Sequence, residues 1–467
     1  MWLGRTRHLH FVGIGGIGMS GIAELVANLG YRVSGSDARR SDITDRLASL
    51  GVRIDVGHDG GHVADADVVV VSSAIAPDNP EIVAARARHV PVIPRAEMLA
   101  ELMRLRVGIA VAGAHGKTTT TSMVALMLEH AGLDPTAVIG GRLSAFGSNA
   151  KLGRGQYMVV EADESDRSFL KLSPALAVIT NIDREHMDTY GSFDRLVEAF
   201  RDFADRVPFY GAVVACVDDE AVRALLPSFS RRTITYGFSD DADVRGIAPA
   251  SDGRSASCEV VYQIRGVPDG TGRGRIALSV PGRHNLQNAL AAAAIGLEIG
   301  VPFDKIQSAL ADFRGAERRY QVRGTVGGIT VVDDYGHHPT EISAVLRAAR
   351  DGQPRRLVVV FQPHRFSRTR DLLEAFGPAL SGADVVLLTD IYAAGERPIE
   401  GVTVDTLARA VEPHVKRLVI ARSLDAVPEI VASDARAGDL VITLGAGSIA
   451  AAAARILDAL SQREARA

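Results

Sequence analysis

A glycine-rich segment ending in lysine and threonine carries the clearest chemical signal in this 467-residue sequence. Residues 113–119 read GAHGKTT, after the apolar run VGIAVA and before a stretch that suits a helix. The backbone N–H groups of such a loop surround phosphate, so Lys117 would reach the β- and γ-phosphates and Thr118 would contact Mg²⁺. The usual pattern has a glycine where this chain has Val111, but the context still predicts ATP binding. The predicted loop residues are Gly113, Ala114, His115, Gly116, Lys117, Thr118 and Thr119.

Two polar residues follow other apolar runs of the same region. Glu161 ends the run YMVV, and His186 follows the run ALAVIT within the segment NIDREHMD. Magnesium prefers oxygen ligands, so Glu161 is expected to share the ion with Thr118. A single histidine is more often a hydrogen-bonded structural residue, and the pattern alone leaves the role of His186 open.

A second glycine motif lies near the start of the chain. Gly13, Gly15 and Gly18 form GxGxxG between a strand-like run and a helix-like run, and Asp37 ends the next strand-like run. Glycines allow the backbone to approach a diphosphate at a helix N-terminus, and a carboxylate such as Asp37 can accept from a ribose hydroxyl. The motif predicts a diphosphate ligand, but NAD, FAD and UDP-sugars all carry that group.

Three successive regions must position these motifs. Each alternates buried-type strands with helices, and polar clusters follow the strands, which is typical of doubly wound α/β domains. We predict an α/β protein with Rossmann-like domains at both ends and a P-loop-type ATPase domain in the middle. The predicted boundaries are 1–107, 108–320 and 321–467. The polar, glycine-rich stretch at about 217–280 is interpreted as a surface elaboration of the middle domain.

Composition excludes several other classes of protein. A formal net charge of -4 gives no basic surface for nucleic acid. We find no secretory signal pattern at the start and no apolar run long enough to cross a bilayer, so no membrane insertion is expected. The two cysteines, Cys216 and Cys258, are far apart in sequence and suggest neither a disulfide framework nor a zinc site. These features fit a cytoplasmic protein, and they leave the oligomeric state undetermined.

Nine short motifs, taken in order, make the chain similar to the Mur ligases. The resemblance spans almost the whole chain, and nine motifs in one order are far more specific than any one of them. They are GIGGIGMSGIA at 13–23, SGSD at 34–37, SSAI at 72–75, GAHGKTTTTSM at 113–123, EADESD at 161–166, EHMDTY at 185–190, PGRHNLQNALAA at 281–292, DDYGHHPTEI at 333–342 and QPHRFSRT at 362–369.

The resemblance implies an ATP- and Mg²⁺-dependent ligase acting on small molecules, and within the family it is strongest to the branch that joins L-alanine to UDP-N-acetylmuramate. It implies that the first domain holds the UDP group, and that the middle domain holds ATP on Lys117, with Thr118, Glu161 and His186 around magnesium. Substrate-binding residues implied in this way are Gly13, Gly15, Gly16, Gly18, Asp37, Ser72, Ser73, His337 and His338. Nucleotide contacts are implied for His284, Asn285, Asn288, Arg319 and Asp334. Catalytic roles are implied for Lys117, His186, His364, Arg365 and Arg368.

One departure concerns a second metal ion. Family members that act later in the pathway carry a carbamoylated lysine about fifteen residues after the histidine that His186 resembles. This chain has Phe200 and Arg201 there and no lysine. A second Mg²⁺, if bound, must be held without that group.

Several alternative functions remain at this point. An NAD-dependent dehydrogenase would explain the first glycine motif and leave the phosphate loop unused. A ligase that adds a murein tripeptide to the same sugar nucleotide is the nearest enzymatic alternative, and a non-catalytic UDP-sugar-binding relative is the non-enzymatic one. Folate polyglutamate ligases resemble the second and third regions but have no UDP domain.

Overall fold

The structure is a computed structural model that describes residues 3–72, 74–143 and 148–466. The chain groups into two compact units. The first contains Met1–Ile247, Glu259–Ile276 and Gln287–Asp312, and the second contains Ala248–Cys258, Ala277–Leu286 and Phe313–Ala467. Within the described ranges, no helix has the length and apolar character needed to cross a membrane.

The N-terminal region forms a five-stranded parallel sheet in the order β3-β2-β1-β4-β5. The chain runs from β1 to one edge and then returns to β4 on the other side of β1, so the switch point lies between β1 and β4. Ligands of such sheets bind beyond the carboxyl ends of the strands at that point. The elements are β1 (His8–Val12), α1 (Ile17–Asn28), β2 (Arg32–Asp37), α2 (Asp42–Ser49), β3 (Arg53–Val56), β4 (Val68–Val71), α3 (Pro80–Ala87), β5 (Val92–Pro94) and α4 (Arg95–Met103).

The middle region forms a ten-stranded sheet in the order β15-β14-β13-β12-β11-β10-β6-β9-β7-β8. Strand β6 lies between β10 and β9 and is parallel to both, so polar residues after these three strands share one edge. The elements up to α8 are β6 (Val107–Ala112), α5 (Lys117–His130), β7 (Thr136–Leu143), β8 (Ser148–Lys151), β9 (Tyr157–Glu161), β10 (Leu176–Ile179), α6 (Met187–Tyr190), α7 (Phe193–Asp205), β11 (Ala212–Cys216) and α8 (Glu220–Leu225).

The stretch interpreted as a surface elaboration supplies the four strands β12 to β15 at one edge of this sheet. Along β14 every second residue is buried, as expected of a strand with one covered face. The remaining elements are β12 (Thr233–Gly237), β13 (Val244–Ser251), β14 (Ala256–Gln263), β15 (Thr271–Leu278), α9 (Arg283–Glu298) and α10 (Phe303–Ala311).

The C-terminal region forms a six-stranded sheet in the order β16-β17-β21-β18-β19-β20, in which only the edge strand β16 is antiparallel to its neighbour. The elements are β16 (Gln321–Val326), β17 (Ile329–Asp334), α11 (Pro339–Asp351), β18 (Arg356–Phe361), α12 (Phe366–Asp371), α13 (Leu373–Leu380), β19 (Val385–Thr389), α14 (Val404–Val411), β20 (Leu418–Arg422), α15 (Val427–Asp434), β21 (Asp439–Leu444) and α16 (Ala452–Arg466). The predicted three-part α/β architecture is confirmed.

Candidate functional site

The first glycine motif forms a tight turn between β1 and α1. The backbone N–H groups of Gly13 and Ile14 both donate to the carbonyl oxygen of Ser36, at 2.8 and 3.0 Å. The N–H of Gly15 donates to Oδ2 of Asp37 at 2.9 Å, and a Cβ at Gly15 would lie 2.8 Å from that oxygen. Asp37 therefore holds the turn in place, and its contact with a ribose stays a prediction.

A buried carboxylate contacts Ser36, the residue whose carbonyl oxygen holds this turn. Glu81 has no exposed area and accepts a hydrogen bond from the Ser36 hydroxyl at 2.7 Å. It also lies within 3.4 Å of a ring nitrogen of each of His10, His58 and His62. Burial alone would raise the pKa of Glu81, but nearby His10 and the hydrogen bonds with Ser36, His62 and His58 lower it to about 2. The sequence prediction missed this cluster, whose members come from four separate segments.

The segment after β4 contacts the same turn. Val71 is the register partner of Val12, so Ser72 follows a strand end beside Gly13. A Cβ at Gly13 would lie 3.1 Å from the Ile75 side chain. Ser73, the other predicted serine, lies outside the described residues. The predicted contact of Ser72 with the substrate stays a prediction.

The phosphate loop is fixed by residues that follow β10. The N–H of His115 donates to Oδ1 of Asn181 at 2.8 Å, and the Thr180 hydroxyl donates to the His115 carbonyl oxygen at 2.7 Å. Gly113 and Gly116 have φ values of +136° and +81°, which favour glycine. The sequence did not predict that Thr180 and Asn181 hold the loop, although both are polar residues that directly follow β10.

Lys117 begins α5 with its ammonium group turned toward acceptors around the loop. Its Nζ donates to the carbonyl oxygens of Gly113 and Ala114 at 2.6 and 3.1 Å, and to the Glu164 carboxylate at 2.9 Å. Burial opposes the charge, but Glu164 and two further carboxylates, those of Asp163 and Glu161, outweigh it and raise the pKa of Lys117. Lys117 is therefore a permanent cation at this loop.

Thr118 and Glu161 come together as the sequence predicted. The Thr118 hydroxyl lies 3.1 and 3.0 Å from the two carboxylate oxygens of Glu161, and the N–H of Gly140 donates to one of them at 2.8 Å. A hydroxyl and a carboxylate are the hard oxygen donors that Mg²⁺ prefers. These two residues fit a magnesium ion beside the phosphate loop.

His186 lies in a neighbouring acidic group. Its Nε2 is 3.6 Å from a Glu164 oxygen and 3.4 Å from a Glu185 oxygen, and the ligand atoms of the three side chains lie within 4.8 Å of one another. The backbone of His186 is left-handed, with φ +57°, so its position is held by the surrounding structure. Glu164 and Glu185 were not predicted as site residues, although both stand in the quoted motifs.

Helix α9 carries three of the predicted nucleotide contacts. In the first compact unit, Asn288 packs against the phosphate loop, because a Cβ at Gly116 would lie 2.5 Å from its Oδ1. In the second unit, Nδ2 of Asn285 donates to the Pro281 carbonyl oxygen at 2.7 Å. Burial, together with the charge of Arg319, lowers the pKa of His284 to about 4, so this imidazole is neutral near pH 7.

Asp334 ends β17 in the second unit and is buried. Its carboxylate accepts from the N–H groups of Tyr320 and Gly336 at 2.7 and 2.6 Å, and burial raises its pKa. Arg319 lies over the Tyr335 ring at 5.2 Å and 3.3 Å from the Glu341 carboxylate. The predicted nucleotide contacts of Asp334 and Arg319 stay predictions.

The neighbouring histidines His337 and His338 make different contacts. His338 is buried and caps α11, where its Nδ1 accepts from the N–H of Thr340 at 3.3 Å. The His337 ring lies 5.5 Å from the His364 ring. The resemblance implied substrate contact for both histidines. The structure shows a capping contact for His338, and the substrate contacts stay predictions.

The histidine and arginines of the motif QPHRFSRT cluster after β18. The His364 ring stacks on Tyr392 at 5.5 Å, and Nη1 of Arg368 lies 3.1 Å from Nδ1 of His364. Arg365 has φ +73° and directly precedes α12, and its Nη1 lies 4.0 Å from Glu396. Tyr392 and Glu396 were not predicted, since neither stands in a recognised motif. The three predicted residues are thus brought together at one strand end.

Family sequence profiles match each of the three regions. The Mur ligase family catalytic domain matches residues 8–106, the Mur ligase middle domain matches 111–296, and the Mur ligase glutamate ligase domain matches 318–447. Together the three matches cover most of the chain, and they follow one another without overlap.

Whole-length relatives agree with these matches. A UDP-N-acetylmuramate–L-alanine ligase of Geobacter sulfurreducens is 55% identical over 449 residues, which is 96% of each chain. A solved UDP-N-acetylmuramate-alanine ligase from Thermotoga maritima is 30% identical with a TM-score of 0.81, over 99% of this chain and 100% of that one. A solved murein peptide ligase from Psychrobacter arcticus is 26% identical with a TM-score of 0.71, over 97% and 99%. The chain belongs to the Mur ligase family.

Proposed function

We propose that this protein is the ATP-dependent ligase that forms an amide bond between the lactyl carboxylate of UDP-N-acetylmuramate and L-alanine, a step of peptidoglycan precursor synthesis. The observation that carries the proposal is the joint presence of an intact phosphate loop, with Lys117 charged and Thr118 beside Glu161, and a separate diphosphate-type turn. The 55% identical alanine ligase, aligned over 96% of both chains, supports this choice of substrates.

The first chemical requirement is activation of a carboxylate. A carboxylate is a poor electrophile because its leaving group would be oxide, so transfer of the γ-phosphoryl group of ATP must first convert it to an acyl phosphate, releasing ADP. Two anions approach each other in this step, and Lys117 with the loop N–H groups neutralises the moving phosphoryl group. Thr118 and Glu161, with His186 nearby, would hold Mg²⁺, which when bound adds further positive charge at the phosphates.

The second requirement is attack by the amine of alanine, with phosphate as the leaving group. The ammonium group of alanine must lose one proton to become a nucleophilic amine, and the nitrogen loses a second proton as the amide forms. The carboxylate of alanine must be held away from the reacting carbon. A guanidinium group binds a carboxylate through two parallel hydrogen bonds, so Arg368 is our candidate for that role, with Arg365 beside it. His364, against which Arg368 packs, is the candidate to move the proton or to donate to the oxyanion.

The remaining assignments follow from the same proposal. We assign the UDP group to 1–107, ATP to 108–320 and the amino acid to 321–467, with His284, Asn285, Asn288, Arg319 and Asp334 at the nucleotide. Cys216 and Cys258 are both buried thiols, which suits a reducing compartment and supports a cytoplasmic location.

The nearest competing activity is addition of a tripeptide to the same sugar nucleotide, as in the murein peptide ligases. Mass spectrometry of the products formed from UDP-N-acetylmuramate, ATP and Mg²⁺ with either L-alanine or the tripeptide separates the two. We expect the alanine adduct, and exclusive formation of the tripeptide adduct would overturn the proposed amino-acid substrate.

A further inference from the structure

Arg95 stands at the same sheet edge as the glycine turn of the N-terminal region. It follows β5 directly and begins α4. The register pairs Val12 with Val71 and Val71 with Pro94, so the chain leaves β1, β4 and β5 at one level. The carboxyl ends of these three parallel strands therefore carry the turn, the Ser72 segment and Arg95 side by side.

The guanidinium group of Arg95 lies against the third glycine of the turn. A Cβ at Gly18 would lie 1.9 Å from Nη1 and 3.1 Å from Cζ of Arg95. No side chain could replace the hydrogen of Gly18 unless the guanidinium moved. In this chain, the third glycine of GxGxxG makes room for a cation as well as for helix packing.

The charges at this point favour an anion. Gly18 is in the first turn of α1, where the helix dipole is positive, and that turn contains no acidic residue. A second positive charge at a helix N-terminus is unfavourable unless an anion neutralises both. Asp163 is the acidic group beside Arg95, with its Oδ2 3.4 Å from Nη2, whereas the carboxylate of Asp37 accepts from the N–H of Gly15.

Asp163 gives Arg95 a fixed orientation and connects two sites. It belongs to the segment EADESD, between Glu161 and Glu164, and its Oδ1 accepts from the N–H of Ser165 at 3.0 Å. One edge of the Arg95 guanidinium thus faces the segment around the phosphate loop, while Nη1 faces the glycine turn. The Arg95 side chain keeps 30% of its area exposed, which leaves it accessible to a ligand.

We propose that Arg95 is a substrate-binding residue that pairs with the diphosphate of the sugar nucleotide held on the glycine turn. The proposal rests on the proposed function, because that function supplies the diphosphate. A guanidinium group suits this ligand, since its planar donors match two phosphate oxygens. Asp163 positions Arg95 for the contact, and Gly18 leaves the space that the contact needs.

The test is calorimetric titration of the full-length protein with uridine, UMP, UDP and Mg²⁺–ATP. For Arg95→Ala we expect the Kd for UDP to rise by about 10- to 100-fold, the range of a charge-assisted hydrogen-bonded pair, while the Kd values for uridine and ATP change less than about twofold. Arg95→Lys keeps the charge and should recover part of the UDP affinity. Arg104→Ala, in an exposed pair at the other end of α4, is the matched control.

A double-mutant cycle tests the geometry. Gly18→Ala should weaken UDP binding in the wild-type chain but cause little further loss in Arg95→Ala, because its Cβ then has no guanidinium to displace. Equal loss from Gly18→Ala in both backgrounds, or an Arg95→Ala variant that binds UDP as tightly as the wild type, overturns the proposal. A wild-type protein that binds no UDP would instead refute the proposed function.

Discussion

The Nζ atom of Lys117 and the carboxylate of Glu164 form a 2.9 Å ion pair beside the phosphate loop. Both side chains are largely withdrawn from solvent, and the surrounding carboxylates keep Lys117 protonated despite that burial. The lysine is therefore held charged next to the position at which the loop receives phosphate. We therefore expect replacement of Lys117 to impair the reaction at the phosphate loop.

Replacing Lys117 with alanine should reduce ligation by at least about 100- to 1,000-fold, because the variant lacks the main protein cation at the phosphoryl group. Binding of UDP-N-acetylmuramate should persist, since the glycine turn uses other residues. Phosphate release and calorimetry measure the two effects. Lys171→Ala, which removes a half-exposed lysine paired with Glu97, is the control. Turnover of Lys117→Ala within tenfold of wild type would contradict this role.

Glu161→Gln should raise the Mg²⁺ concentration needed for half-maximal activity by about tenfold or more. The amide preserves the shape and the contact with Thr118 but removes an anionic oxygen from a hard cation. Initial rates across a magnesium titration show the change. Glu198→Gln, at an exposed position of α7, should leave the titration unchanged. An unaltered magnesium dependence in Glu161→Gln would make Glu161 a purely structural strand end.

His284 should make the protein less stable in mild acid. Its pKa is near 6.5 in an unfolded chain and about 4 in the folded one, so the unfolded state takes up a proton first as the pH falls. Stability from the neutral imidazole is complete above pH 6.5 and is lost progressively toward pH 4, by at most about 3 kcal/mol. Denaturant midpoints of wild type and His284→Gln across this window should converge as the pH falls. Parallel curves would show that His284 does not titrate in this way.

The sequence predicted those parts of the site that depend on local spacing. The turn from Gly13 to Gly18 and the loop from Gly113 to Thr119 each connect a strand to the helix that follows it. Neighbouring residues therefore determine both structures. Thr118 and Glu161 could also be paired, because both were expected at strand ends of one parallel sheet.

The missed contacts depend on strand order and on long sequence separations. Glu81 of α3 meets Ser36 of β2, His10 of β1, and His58 and His62 of the segment after β3. No single one of these four segments carries that pattern. Arg95 approaches Gly18 because β5 is the second strand from β1, which periodicity cannot reveal. The substrate contact implied for His338 stays a prediction, whereas its capping contact at the start of α11 was not predicted from the sequence.

Arg368→Lys should raise the L-alanine concentration required for half-maximal rate by about tenfold or more, with little change for ATP or UDP-N-acetylmuramate. The lysine keeps the charge but loses the planar two-point fit to a carboxylate. Arg370→Lys, two residues further along α12 and in an exposed pair with Asp371, is the matched control. Steady-state kinetics with each substrate varied in turn give the comparison, and an unchanged alanine dependence would remove Arg368 from the amino-acid site.

The proposed ligase activity is measured most directly as phosphate release by the wild-type protein with each substrate omitted in turn. We expect release only when ATP, Mg²⁺, UDP-N-acetylmuramate and L-alanine are all present, with one phosphate formed for each UDP-N-acetylmuramoyl-L-alanine. Absence of alanine-dependent phosphate release under these conditions, with ATP and the sugar nucleotide both shown to bind, would contradict it.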